Sequence, residues 1–128
     1  MGMEFYGNSY KGNDEPIFVG IPTFLKLPWI RSHEELKSVR PDVAIIGEPF
    51  DFGTTIRPGA RYGPRAIRAA STVPSPPYEH FNIETGVDPF GVFRTVDYGD
   101  VNISPGDVVE SHRRMTNKVK EVLALDGI

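Results

Sequence analysis

The sequence predicts an α/β protein built on parallel strands, and three observations carry that prediction. The run Val43-Ala44-Ile45-Ile46 is continuously apolar rather than alternating, which suits a parallel strand covered on both faces. It leads into a glycine-bearing stretch, Gly47-Glu48-Pro49-Phe50-Asp51-Phe52-Gly53, and then into a helix that opens at Gly63-Pro64. A second strand-like run, Val92-Phe93-Arg94-Thr95-Val96-Asp97-Tyr98, is followed by a second helical pattern, so the order is β-α-β-α. Loops leaving the carboxyl ends of parallel strands are where open α/β sheets bind ligands. The stretch from Gly47 to Arg68 is therefore the first place to look for chemistry.

Composition narrows the class. With 128 residues and 39% hydrophobic content the chain is sized for one ordinary domain with a core. A formal charge of -3 argues against a general nucleic-acid binder. The absence of cysteine excludes disulfides and thiolate metal sites. No apolar run approaches the roughly 20 residues that span a bilayer. Met1-Gly2-Met3-Glu4-Phe5 lacks the basic-then-apolar form of a secretory signal, so a cytoplasmic location is expected. Twelve prolines and 13 glycines put much of the chain in loops.

The elements follow in order. Residues 1–20 are polar and glycine-bearing and read as an extended arm. Ile21-Pro22-Thr23-Phe24-Leu25-Lys26-Leu27-Pro28-Trp29 is apolar with two prolines, and is expected to pack as an irregular coil over another surface. Ser32-His33-Glu34-Glu35 has capping-box spacing, starting a two-turn helix that ends before Pro41. Residues 42–47 form the first strand and residues 48–62 the loop. The helix from Gly63 carries proline where a missing N–H costs nothing, and Ala66, Ile67, Ala69 and Ala70 give it a small-residue face. Residues 71–77 end it. Residues 82–91 read as loop, and the second strand closes at Gly99-Asp100. Ser104-Pro105-Gly106-Asp107 reads as a second capping box. Val108, His112, Met115, Val119 and Val122 then mark one helical face, ending near Leu125 with Gly127 as a left-handed cap. Two such strands leave open sheet edges and bare apolar faces. The chain is expected to be the front of a larger α/β domain, with a small domain completed by oligomerisation as the alternative.

These motifs carry a family resemblance. Pro49-Phe50-Asp51, with Arg57-Pro58-Gly59-Ala60-Arg61-Tyr62-Gly63-Pro64-Arg65-Ala66-Ile67-Arg68, resembles the amino-terminal signature of the ureohydrolases, the arginase and agmatinase family. Asp97-Tyr98-Gly99-Asp100-Val101 is similar to the end of that family's second strand. The segment 21–28 is similar to agmatinase-like and guanidinobutyrase-like members more than to arginases. The resemblance covers roughly residues 20 to 128. It implies the amino-terminal part of a three-layer α/β/α parallel-sheet fold, with residues 1–20 as an arm and 21–128 as part of the α/β domain. It also implies a pair of manganese ions in the complete protein, where metal-activated water attacks a guanidinium carbon and urea leaves. Trimers or hexamers are implied as well.

The chain departs from the family pattern. The family's ligand blocks, Gly-Gly-Asp-His, Asp-x-His-x-Asp and Asp-x-Asp, do not occur, and the three histidines, His33, His80 and His112, have no matching carboxylate spacing. No residue is therefore assigned a catalytic or metal-ligand role. No manganese and no hydrolysis are expected of this chain alone, which reads as truncated, split or cleaved.

Several residues remain candidates for binding. Phe24, Trp29 and Tyr78 could shape a substrate mouth, since aromatic faces hold guanidinium groups; core packing is the plainer reading of each. Asp51 could reach a site at the sheet edge, or could cap loop N–H groups. Asp97 and Asp100 read as structural hydrogen-bonding groups. Arg57, Arg61, Arg65 and Arg68 suit ion pairs and subunit contacts. They could instead hold an anion at a helix start, although no G-x-G-x-x-G or G-K-[ST] pattern is present. His112 reads as a packed histidine and His80 as solvent-facing, and residues 71–80 could border the site entrance.

Three functions follow. The first is the amino-terminal segment of a hydrolase acting on agmatine or a guanidino acid, completed by a missing carboxyl-terminal part or homologous subunits. The second is a non-catalytic partner of a full-length homologue. The third is an anion-binding module on the arginine-rich loop. Nucleic acid and membrane are not expected partners.

Overall fold

A computed structural model of the chain describes residues 18–72 and 81–126. Strand β1 (Val43–Gly47) and strand β2 (Thr95–Asp100) lie parallel, with Val43 opposite Thr95, Ala44 opposite Val96 and Ile45 opposite Asp97. The register slips between Ile45 and Gly47, which brings Gly47 opposite Asp100. This irregularity sits where the long loop leaves the sheet. A Cβ at Gly47 would overlap the Asp100 carboxylate and lie 2.8 Å from Pro64 Cβ. Only glycine lets the incoming helix and the neighbouring strand approach that closely.

The other edge of β2 is also occupied. Ile30 N–H donates to the Asp97 carbonyl at 2.9 Å, and Asp97 N–H donates to the Pro28 carbonyl at 3.0 Å, so Trp29 bridges Asp97 in parallel. The segment expected as irregular coil is thus partly sheet. Pro28 is tolerated because its position asks only for a carbonyl.

Helices cover both faces. Alternation along β2 sends Val96 and Tyr98 to one side and Asp97 to the other. On the first side, Val96 and Tyr98 pack with Ile30 and with Leu36 and Val39 of helix α1 (His33–Val39), and Val122 of helix α4 (Val108–Leu123) closes over them with Leu125. Tyr98 Oη donates to Glu121 at 2.7 Å, and the Lys118 ammonium stands 3.2 Å from the Tyr98 ring centroid. Burial pushes the Tyr98 phenol up, and Glu121 adds to that rise. On the second side, Asp97 meets helix α2 (Gly63–Ser71).

The caps follow local chemistry. Ser32 Oγ accepts from Glu35 N–H at 3.1 Å, while Glu35 Oε2 accepts from Arg31 N–H at 2.9 Å, one residue earlier than in an ordinary capping box. The second capping box does not form. Asp107 itself caps α4, accepting from Glu110 N–H at 2.9 Å, because Gly106 takes φ 83 and turns the chain before the helix starts. Ser104 instead bonds the fully buried Ser111, whose hydroxyl donates back to the Asp107 carbonyl at 2.7 Å.

Other elements also differ from the sequence reading. The second strand begins at Thr95 rather than Val92, since Asp88 and Pro89 nucleate a helical turn, α3 (Pro89–Val92), capped by Asp88 on Phe90 N–H at 3.0 Å. The small-residue face of α2 is exposed, Ile67 at 59%, because α2 meets the sheet through Arg68 rather than through apolar packing. His112 is exposed too, with its ring 5.1 Å from that of Phe50. The face of α4 turned inward is instead centred on Ser111 and Val122. Gly127 lies outside the described residues.

Among the described residues β1 pairs with β2 alone, and Val43 is 42% exposed. Leu36 is fully buried at the centre of the cluster. Leu36→Ala is expected to cost about 2–5 kcal/mol, read as a lower midpoint in urea denaturation at unchanged slope.

Candidate functional site at the carboxyl edge of the sheet

The site grows from Asp97. Its side chain is 1% exposed and leaves β2 toward α2, where a carboxylate without partners would be untenable. Four donors satisfy it. Arg68 of α2 binds it with both prongs, Nε to Oδ2 at 2.7 Å and Nη2 to Oδ1 at 2.8 Å. Phe24 N–H reaches Oδ2 at 2.8 Å and Gly99 N–H reaches Oδ1 at 2.9 Å. Gly99 takes φ 70, which turns its N–H back onto the side chain two residues earlier. Arg68 also donates through Nη1 to Asp100. Burial alone would push the Asp97 carboxyl up, but the Arg68 guanidinium and the two backbone N–H groups outweigh it and hold the carboxyl below its usual range. Asp97 in turn raises the Arg68 guanidinium.

The same hub shapes the turn Phe24–Lys26. Leu25 (φ 50, ψ 27) and Lys26 (φ 56) are consecutive non-glycine residues in the left-handed region, a conformation that costs roughly 1–2 kcal/mol per residue. Side chains from two other elements hold it. Asp97 takes the Phe24 N–H, and Ser71 Oγ takes the Leu25 N–H at 2.8 Å while donating to the Arg68 carbonyl at 2.7 Å. Thr23 Oγ1 closes the turn onto the Leu27 carbonyl at 2.7 Å.

A second anchor fixes the loop of residues 48–62. Asp51 is 6% exposed; its Oδ2 accepts from Gly59 N–H at 2.7 Å and its Oδ1 from Arg61 Nε at 2.7 Å. The Arg61 hydrogen bond holds the Asp51 carboxyl below its usual range against the effect of burial. Arg61 also lies 5.0 Å over the Phe52 ring, Phe52 packs edge-on to Phe50 at 5.1 Å, and Phe50 meets His112 on α4.

The candidate residues therefore divide. Phe24 and Arg68 meet through Asp97, and Asp51 meets Arg61. Trp29 lies beside β2, 42% exposed, with its indole nitrogen next to Gly99 and the Arg31 guanidinium 5.8 Å from its ring. The four arginines do not converge. Arg61 and Arg68 serve different carboxylates, and among the described residues Arg57 and Arg65 have no ion pair. Tyr78 and His80 lie outside the described residues, as does most of the stretch 71–80. Sequence reasoning missed the Ser71 contact and the left-handed turn. Ser71 stood in the right place, three residues after Arg68, but leucine and lysine give no signal for positive φ.

Among the described residues no group of three or more His, Cys, Asp or Glu side chains is placed to hold a metal ion. Asp97 and Asp100 are spent on Arg68, with no histidine grouped with them among the described residues. These residues do not fit the manganese pair that the resemblance implies.

Asp97→Asn leaves the Arg68 charge facing a neutral amide. It is expected to destabilise the protein by about 3 kcal/mol. The Asp97 carboxyl is lowered in the folded state, so its stabilisation is present above the unfolded carboxylate pKa of about 3.9 and is lost as pH falls below it. Denaturation midpoints recorded from pH 7 to 3 should therefore fall less steeply for Asp97→Asn than for the parent chain.

Known proteins resemble this chain in sequence and fold. A guanidinobutyrase of Pseudomonas aeruginosa is 38% identical over 112 residues, which is 88% of this chain and 33% of that protein. A mitochondrial agmatinase of Gallus gallus is 38% identical over 106 residues, 83% of this chain and 28% of that protein. The solved structure of proclavaminate amidino hydrolase from Streptomyces clavuligerus superposes with a TM-score of 0.68 at 34% identity, over 86% of this chain and 34% of that one. The chain thus spans about a third of the length of the relatives it matches. The family model described as the Arginase family matches residues 41–128, the part that holds both strands, the arginine loop and the Asp97–Arg68 pair, and the chain belongs to that family.

Proposed function

We propose that this chain contributes the amino-terminal third of an amidinohydrolase that releases urea from a small guanidino compound, agmatine or a guanidino acid. The observation that carries the proposal is the Asp97–Arg68–Asp100 network at the carboxyl edge of a parallel sheet, in a chain of the arginase family. Relatives named guanidinobutyrase and agmatinase support the substrate class. In this reading the chain's part is positional. Arg68 fixes Asp97, Asp97 fixes the Phe24 turn, and Asp51 with Arg61 fixes the loop, so that Phe24 and Trp29 border the guanidino compound in a set geometry. Reacting groups held within a fraction of an ångström are worth large rate factors.

The same reading carries a cytoplasmic location, assembly as a trimer or hexamer with Arg57 and Arg65 at subunit contacts, and residues 1–20 as an arm on a unit of residues 21–128. The test is urea release from agmatine, guanidinobutyrate and guanidinopropionate by the longer protein that includes this chain. The parent should release urea from at least one of them. Arg68→Lys, which loses the two-pronged contact, should lower kcat/KM on the order of 100-fold. No urea from any guanidino compound would overturn the proposal.

A further inference from the structure

Helix α2 carries its apolar stripe outward. At about 100° per residue, Arg68, which reaches Asp97, and Ser71, which takes the Leu25 N–H, mark the side turned to the sheet. Tyr62, Ala66 and Ala70 line up along the opposite side with Ile67 next to them, and all four are exposed, Tyr62 at 68%. An amphipathic helix ordinarily turns such a stripe toward the core. Arg65 is exposed at the margin of the stripe and, among the described residues, has no ion pair.

The residues ahead of β2 present a complementary surface. Residues 82–87 close into a turn, with Asn82 N–H donating to the Val87 carbonyl at 2.9 Å, Gly86 N–H to the Asn82 carbonyl at 2.8 Å and Thr85 N–H to Asn82 Oδ1 at 3.0 Å. At its tip stand Ile83, 89% exposed, and Glu84, exposed and without an ion pair among the described residues. Val92 and Phe93 are exposed too, between this turn and the start of β2. Apolar groups held out in water in this way mark surfaces that meet other proteins.

Each surface supplies what the other lacks: α2 offers an apolar stripe beside an unpaired cation, and the turn offers an apolar tip beside an unpaired anion. Within one copy they belong to opposite ends of the sheet. Helix α2 packs at the carboxyl ends of the strands, where Pro64 lies against Gly47 and Arg68 against Asp100, whereas the turn precedes the amino end of β2. Patches so placed meet between copies, head to tail.

We propose that the outward face of α2 docks the 82–87 turn of a second copy of this chain, with Ile83 seated on the Ala66–Ala70 stretch and Glu84 paired with Arg65. The inference deepens the assembly part of the reading above by naming the two surfaces that meet. A contact between unlike patches does not close on itself as a two-fold pair does, so it builds a ring or a filament.

The test is particle mass by light scattering over a dilution series, on the longer protein that includes this chain. The parent should form particles of three or more copies. Arg65→Glu and Glu84→Arg should each weaken assembly on the order of tenfold in dissociation constant. The double variant carrying both should recover it, because every contact then again joins unlike charges. Ile83→Ser should weaken assembly with the charges intact. These side chains are exposed, so the circular dichroism spectrum should not change in any variant. A parent of one or two copies overturns the proposal. Single variants that assemble like the parent overturn it as well, and point to another part of the longer protein covering α2. So does a loss that the double variant fails to recover. Urea release is read separately. A monomeric parent that releases urea overturns the contact and leaves the hydrolase reading; an assembled parent that releases none removes the hydrolase reading and leaves the contact.

Discussion

The contact between Arg68 and Asp97 is the constraint on which the rest of this structure depends. A carboxylate that is 1% exposed between a strand and a helix must find donors or prevent folding. It finds them on three separate elements: the α2 guanidinium, the Phe24 amide and the Gly99 amide. One buried charge therefore sets the height of α2 over the sheet, the path of the segment that runs past Trp29, and the bend at the end of β2. An apolar pair would fill the same space and stabilise at least as well, but it would not fix three backbones in one register.

The sheet is accordingly two-sided in chemistry. Its Val96 and Tyr98 side is an ordinary apolar cluster with α1 and α4. Its Asp97 side is a polar contact at the edge where the loop departs; the loop itself is held by Asp51 and Arg61, and its Phe50 ring meets His112 of α4. Stability is concentrated on the first side and geometry on the second.

Much of this was legible in the residues. The continuous apolar run at 43–46, the glycine at 47 and the proline at 64 announce strand, loop and helix, because each answers a backbone requirement that few residues meet. The arginine-rich stretch to Arg68 identified the family, since its length leaves little room for coincidence. What was not legible depends on partners distant in the chain. Phe24 lies 73 residues from Asp97 and Leu25 lies 46 from Ser71. No local pattern records those hydrogen bonds, and tertiary contact overrides the reluctance of leucine to take positive φ. Pro28 supported the irregular-coil reading of its segment, yet its carbonyl was all that the sheet edge needed. The start of β2 was set three residues early because the apolar Val92 and Phe93 hid the helical turn nucleated by Asp88 and Pro89.

Residue-specific amide hydrogen exchange on the parent chain and on Arg68→Met tests the central claim most directly. If the Arg68–Asp97 contact organises the carboxyl edge, the Phe24 and Leu25 amides are protected in the parent and lose that protection in Arg68→Met. The Ile45 amide of β1, which faces β2 in the parallel ladder, should stay protected in both. Equal protection of Phe24 and Leu25 in the two chains would show that the turn holds itself without the buried ion pair, and would contradict the account.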